Sequence, residues 1–194
     1  QYLKASEADI LDNDPVLSTF ENFGPDPSYC QAAITGSTGL LVFADPGNNF
    51  AYTRYSFDPT DDNDLDLTFL DDDVTTSIVD IALGEIQGSL IEVLADNLGE
   101  CVSVRHGGSE FCVPTDLGSP EKVAFDVDES NGILYLAWIS NGLVEIAWGN
   151  LVDALADGGS SMQTGGALYT SETPDDVALH HLDAGVLLVA AYGS

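Results

Sequence analysis

The feature that most constrains this chain is a pattern that recurs four times along it. Each copy starts with a short strand-like run around an alanine, crosses a gap to a glycine, and continues into a strongly apolar run. The copies are Ala32-Ala33-Ile34 with Gly39 to Ala44, Ile81-Ala82-Leu83 with Gly88 to Ala95, Val123-Ala124-Phe125 with Gly132 to Ala137, and Val177-Ala178-Leu179 with Gly185 to Ala190. The steps between Ala33, Ala82, Ala124 and Ala178 are 49, 42 and 54 residues. Before the last two copies stand Ser119-Pro120-Glu121 and Thr173-Pro174-Asp175. A repeat of this length is one supersecondary unit that buries its apolar faces only against its neighbours.

Each unit is too long for a single hairpin and lacks the helical period of a βαβ crossover. Short runs rich in Val, Ile, Leu, Tyr and Phe, punctuated by Gly, Asn and Asp, follow strand grammar. The first unit parses into strands near 31–35, 40–44, 50–57 and 65–70. The second gives 78–84, 89–95, 101–105 and 109–113, and the third 122–127, 133–139, 143–148 and 166–170. Only residues 151–157 read as a short helix. The fold class is therefore all-β.

Four antiparallel strands per unit is the content of a β-propeller blade. On Pro120, Val123, Ala124, Phe125, Gly132 and Leu134 to Ala137, and on Pro174, Val177, Ala178, Leu179, Gly185 and Leu187 to Ala190, the chain resembles the β-propeller repeats of surface proteins. The resemblance implies a propeller-like array of about four four-stranded blades over residues 28–194. Its units are approximately 28–75, 76–118, 119–172 and 173–194, with 1–27 an N-terminal segment free to complete the last blade through Val16 to Phe20. The pattern concerns packing and brings no catalytic residue. There is no Trp-Asp dipeptide and no sialidase-type Asp box. A Greek-key β-sandwich with similar strands is the alternative.

Charge limits the partners. The chain carries 33 Asp plus Glu against 4 Lys plus Arg, a net charge of -29, and 23 of the acids are Asp. A folded chain of this mass exposes roughly 8,900 Å², so roughly one excess negative charge falls on every 300 Å². Such a surface repels phosphate backbones and anionic lipid, which argues against nucleic-acid partners and membrane insertion. No stretch of 18 apolar residues offers a spanning helix. The bias suits high salt, where self-repulsion is screened, or a calcium-rich extracellular medium. Gln1 follows no basic and apolar leader, so any signal peptide is read as already removed.

Cys101 and Cys112 flank two alternating runs around a His106-Gly107-Gly108 turn, a spacing that lets a hairpin join them in a disulfide. Neither has the CxxC spacing of a zinc or redox site. Cys30 is left over, either buried or available for an interchain bond. A disulfide implies an oxidising, extracytoplasmic compartment.

Candidate chemistry is sparse. Asp58, Asp62, Asp64, Asp66 and Asp73 lie in or beside the acidic stretch from Asp58 to Asp73 and are the candidate calcium ligands, since calcium takes six to eight hard oxygens. Leu67 stands where an EF-hand needs glycine, which leaves an irregular calcium loop or a solvated turn. The stretch from Asp126 to Gly132 reads as a turn held by side-chain to backbone hydrogen bonds. His180 and His181 are adjacent and point to opposite faces of a strand. No catalytic residue and no cofactor besides calcium is assigned. Tyr52, Tyr55, Tyr135, Trp138, Trp148 and Tyr192 could form a sugar platform, with core packing as the simpler role. The sequence thus points to an extracellular, non-catalytic structural or adhesive module, joined to other protein subunits or surface components, within a larger surface assembly or filament. The alternatives are a calcium-dependent propeller hydrolase of lactonase or phytase type, which needs polar residues at the channel, and a carbohydrate-binding lectin. The alanine-rich first strands tilt the reading away from catalysis.

Overall fold

The computed structural model describes residues 3–4, 18–19, 29–35, 38–45, 51–58, 60, 68–73, 75–167, 173–182 and 185–191. Strands dominate them. A two-stranded ribbon joins β1 (Leu3–Lys4) to β2 (Ser18–Thr19). The first four-stranded sheet contains β3 (Tyr29–Thr35), β4 (Thr38–Asp45), β5 (Ala51–Phe57) and β6 (Thr68–Asp73). The second contains β7 (Ile78–Ile86), β8 (Ser89–Asp96), β9 (Cys101–His106) and β10 (Ser109–Pro114). The third contains β11 (Pro120–Asp128), β12 (Ile133–Ser140), β13 (Leu143–Asn150) and β14 (Gln163–Thr164), with the helix α1 (Leu151–Asp157) between its last two strands. A fourth sheet pairs β15 (Asp176–Leu182) with β16 (Gly185–Ala191).

Local sequence explains the meanders. Three hairpins turn through Gln87-Gly88, Gly107-Gly108 and Asn141-Gly142, each with positive φ at both residues. That is the type I′ geometry whose twist matches paired strands, and glycine meets its second position without a Cβ clash. Asn150 caps α1 by accepting from the backbone N–H groups of Val152 and Asp153 at 3.0 and 3.2 Å. Two strands depart from the sequence parse. β6 reaches Asp73, and its Asp71 and Asp73 find cationic partners on strands of the first two sheets. The fourth strand of the third sheet is only Gln163–Thr164, since α1 and the turn after it use up the connection; 168–170 lie outside the described residues.

Every four-stranded sheet runs in chain order, each strand antiparallel to the one before it. A Greek key would bring a fourth strand back beside a first, and no described sheet does so. The sheets instead stack face on face in sequence. Leu40, Val42, Ala44 and Tyr52 of the first sheet pack on Ile78, Ile81 and Leu94 of the second. The opposite face of the second, with Val93, Val102, Val104 and Phe111, packs on Leu134, Leu136 and Trp138 of the third, and α1 adds Leu151 and Ala154. Ala137, Ile139 and Val144 on the far face of the third meet Val177, Leu179 and Leu188. The first strands β3, β7, β11 and β15 stand in one row, each against the next. This is a propeller-like array, and the recurring alanines Ala33, Ala82, Ala124 and Ala178 lie on that row.

Candidate functional site

Two polar clefts arise from this stacking. The first lies on the axis side. Gln31, Asp80, Lys122 and Asp176, one from each first strand, line a cavity of about 470 Å³ together with Ala82, Ala124 and Ala178. Four sheets thus contribute to one central space. Its acids are partly occupied: Asp80 accepts from the Val123 backbone N–H at 3.0 Å and faces the Lys122 ammonium at 3.6 Å. Burial, reinforced by Asp176, raises the Asp80 pKa above the usual aspartate value against the pull of Val123 and Lys122.

The second cleft, about 350 Å³, opens between the outer strands of the first and second sheets. Strand register builds it. Arg54 on β5 is paired with Asp71 on β6, and Arg105 on β9 sits between Glu92 on β8 and Glu110 on β10. Cross-strand partners share a face, so each sheet turns an alternating row of charges toward the other. The rows interlock. Arg54 holds Asp71 at 2.9 Å within its own sheet and Glu92 at 3.2 Å across the interface. Arg105 holds Glu110 at 3.1 Å within its sheet and Asp73 at 2.7 Å across it. The Arg105 guanidinium also lies 4.2 Å from the centre of the Tyr52 ring, a cation–π contact. The hairpin tip from His106 to Ser109 forms the rim.

Glu92 is the unusual member. It is 6% exposed, and its Oε2 has no hydrogen-bond partner, nor has the hydroxyl of the fully buried Tyr52. Burial pushes the Glu92 carboxyl up to about 7, Arg105 pulling against that and Glu110 adding to it. Asp73 moves the other way: hydrogen bonds from Thr75 and the Arg105 guanidinium outweigh its burial and hold it below the usual range. The chain has two arginines, and both converge here. An arginine inside an alternating strand was the signal available in the sequence, though neither Arg54 nor Arg105 nor Glu92 stood out as a site residue.

A third polar cluster links the third and fourth sheets. Asp126 accepts at 2.7 Å from the His181 backbone N–H and lies 2.7 Å from Nδ1 of His180. The His181 ring stacks on Tyr135 with centroids 5.5 Å apart. Asp128 accepts from Ser130 and from Asn131, backbone and side chain, within the turn. Those bonds hold its pKa down to about 2. The turn implied by the sequence is confined to residues 129–132; Asp126 and Asp128 belong to the end of β11, and Asp128 fastens the turn from there.

The remaining sequence candidates divide. Cys101 and Cys112 are joined in a disulfide, with Cα atoms 5.9 Å apart. They are diagonal rather than opposite, because Cys101 pairs with Pro114 and Cys112 with Ser103. Of the proposed calcium ligands, Asp62, Asp64 and Asp66 lie outside the described residues. Asp58 binds the Thr60 backbone N–H and hydroxyl at 2.8 and 2.6 Å, while Asp73 serves Arg105 and Thr75. Among the described residues no group of three or more His, Cys, Asp or Glu is placed to hold a metal. Trp138 is buried and donates to Glu145 at 3.0 Å, a core role. Tyr135 and Trp148 are direct cross-strand partners and line an apolar hollow of about 460 Å³. Tyr192 and the side chain of Cys30 fall outside the described residues.

The fold and its clefts define an all-β, propeller-like protein stapled by one hairpin disulfide. No family model matches the chain, and none of the curated proteins does. Among solved structures it is similar to an exo-β-1,3-galactanase from Clostridium thermocellum, at 12% identity and a TM-score of 0.45, over 84% of this chain and 42% of that one. The match therefore spans less than half of the galactanase. A nidogen/laminin complex gives 14% identity and a TM-score of 0.34, over 79% of this chain and 70% of that one. At these values the fold assignment rests on the sheet order and stacking, not on either likeness.

Proposed function

We propose that the protein is an extracytoplasmic, non-catalytic propeller-like module that works by binding other protein subunits or surface components. One observation carries this reading: polar side chains that could have formed a reactive centre instead join neighbouring sheets. Arg54 to Glu92, Arg105 to Asp73, Lys122 to Asp80 and His180 to Asp126 all cross between sheets. A rigid scaffold with a dense anionic exterior follows from that use of charge. The hairpin disulfide supports an oxidising compartment, and no helix among the described residues is long and apolar enough to cross a membrane. Calcium belongs to the proposal as a ligand of the segment from Asp58 to Asp73, through Asp58, Asp62, Asp64, Asp66 and Asp73.

Surface plasmon resonance against immobilised extracellular polypeptides and glycans, run beside hydrolysis assays on lactones and phytate in millimolar calcium, tests the reading. Saturable retention on polypeptide without turnover is the expected result. Turnover that disappears on Asp80→Asn or Asp176→Asn would overturn it in favour of a channel-based hydrolase. Retention on glycans alone would favour a lectin.

A further inference from the structure

The outer cleft between the first two sheets holds more than its own ion pairs account for. Four carboxylates, Asp71, Asp73, Glu92 and Glu110, face two guanidinium groups, Arg54 and Arg105. Each guanidinium is ion-paired from two sides, by Asp71 and Glu92 or by Asp73 and Glu110, although the buried Nε–H of each is aligned with no acceptor. The deepest carboxylate, Glu92, keeps one oxygen without a donor at 6% exposure, although its side chain helps line the cleft. A buried carboxylate oxygen left unpaired costs free energy that a fitting donor would recover. The hydroxyl of Tyr52, whose ring packs against the Arg105 guanidinium, is unpaired as well.

The chemistry of the missing donor follows from what the walls reject. An anion would meet four carboxylates against two arginines, an excess of negative charge, and each arginine already lies in two ion pairs. A bare divalent cation wants six to eight oxygens in its first shell, and here two guanidinium groups stand among them. An apolar group would leave Glu92 as it is. A primary ammonium fits, with three donors on a compact charge at the end of a thin stem. We propose that this cleft binds a primary alkylammonium group, presented by a lysine side chain of a protein partner. The proposal rests on the non-catalytic binding role argued above and names the chemistry of that partner.

The groups that face Glu92 are Arg54 from β5, Asp71 and Asp73 from β6, Arg105 from β9 and Glu110 from β10, with Tyr52 and His106 close by. Burial raises the Glu92 carboxyl to about 7, so its proton competes with the ammonium around neutrality. Affinity should therefore rise with pH, about tenfold from pH 6 to pH 8, while the lysine ammonium keeps its own charge.

The test is an NMR titration of the full chain with Nα-acetyl-lysine-N-methylamide in about 0.15 M salt, which screens unspecific attraction to the anionic surface. Saturable shifts confined to Glu92, Arg54, Arg105 and the rim from His106 to Glu110 are expected. Glu92→Gln should weaken binding by about tenfold or more, as expected when one partner of a buried charged contact is lost. Ser109→Tyr, which narrows the rim without touching a charge, should weaken it too. Nε-acetylation of the probe should abolish it. Equal binding by the acetylated probe or by both variants would overturn the proposal, as would shifts scattered over the surface. Tighter binding of n-butylammonium than of the lysine probe would overturn the protein source. Each of these outcomes is independent of the turnover assays that test the wider reading.

Discussion

Glu92 makes the pH dependence of stability calculable. Its folded-state value of about 7 lies above the ordinary 4.5, so the native protein holds that proton more tightly than the unfolded chain. The sign follows. The contribution is fully present below 4.5 and is lost as pH rises through about 7. Integrated between pH 5 and pH 8, those two values remove about 2–3 kcal/mol of stability, a large share of what a domain has. Glu92→Gln mimics the protonated side chain, and its amide oxygen can still accept from Arg54. The variant should therefore be the more stable protein at pH 8, and its advantage should grow by about 2–3 kcal/mol from pH 5 to pH 8. Urea unfolding of both proteins at pH 5, 6, 7 and 8 measures this, provided the m-values agree. Other titrating groups largely cancel in the difference. Two parallel stability curves would show that Glu92 is not held neutral by burial. A variant less stable at pH 8 would show that the Arg54 and Arg105 charges more than offset that burial.

Asp128 works in the opposite direction. Its pKa is held down to about 2, so it contributes stability present above 3.8 and lost as pH falls toward 2; Asp128→Asn should flatten the acid limb there, read by circular dichroism. Removal of the disulfide by Cys101→Ser with Cys112→Ser closes off a cross-link spanning 11 residues and should cost about 2–3 kcal/mol in the chain-entropy estimate, measured by denaturant unfolding. A non-reduced digest should show both cysteines in one linked peptide pair, and two free thiols would contradict the pairing. With a net charge of -29, sodium chloride should raise the melting temperature by screening. Millimolar calcium should raise it further at matched ionic strength through ligand linkage, and Asp62→Asn with Asp64→Asn and Asp66→Asn should remove that increment alone. Equal responses to the two salts would reduce the acidic segment to a solvated turn.

Much of the architecture is legible along the chain because it is locally encoded. Period-two apolar runs bounded by Gln87-Gly88, Gly107-Gly108 and Asn141-Gly142 specify strands and tight hairpins through neighbouring residues alone. The helix from Leu151 to Asp157, with Asn150 as its cap, is equally local. So is the cysteine pair, since a two-residue hairpin leaves Cys101 and Cys112 within bonding reach. Repetition of the unit then implies stacked sheets, because each sheet has two apolar faces to cover.

Tertiary structure decided which charges meet. Alternation along a strand tells which side chains share a face, but a charged residue on a strand reads the same whether that face meets water or another sheet. Arg54, Glu92 and Arg105 became a site only when the first sheet was laid on the second and brought their rows into register. The same stacking carried Asp71 and Asp73 out of the acidic stretch and into β6, where guanidinium groups compensate them. It also buried Glu92, and burial is what sets its protonation. The sequence by itself determined the strands, their order and the anionic surface, all of which follow from neighbours in the chain. The cleft depends on contacts between residues dozens of positions apart, and these exist only once the sheets have packed.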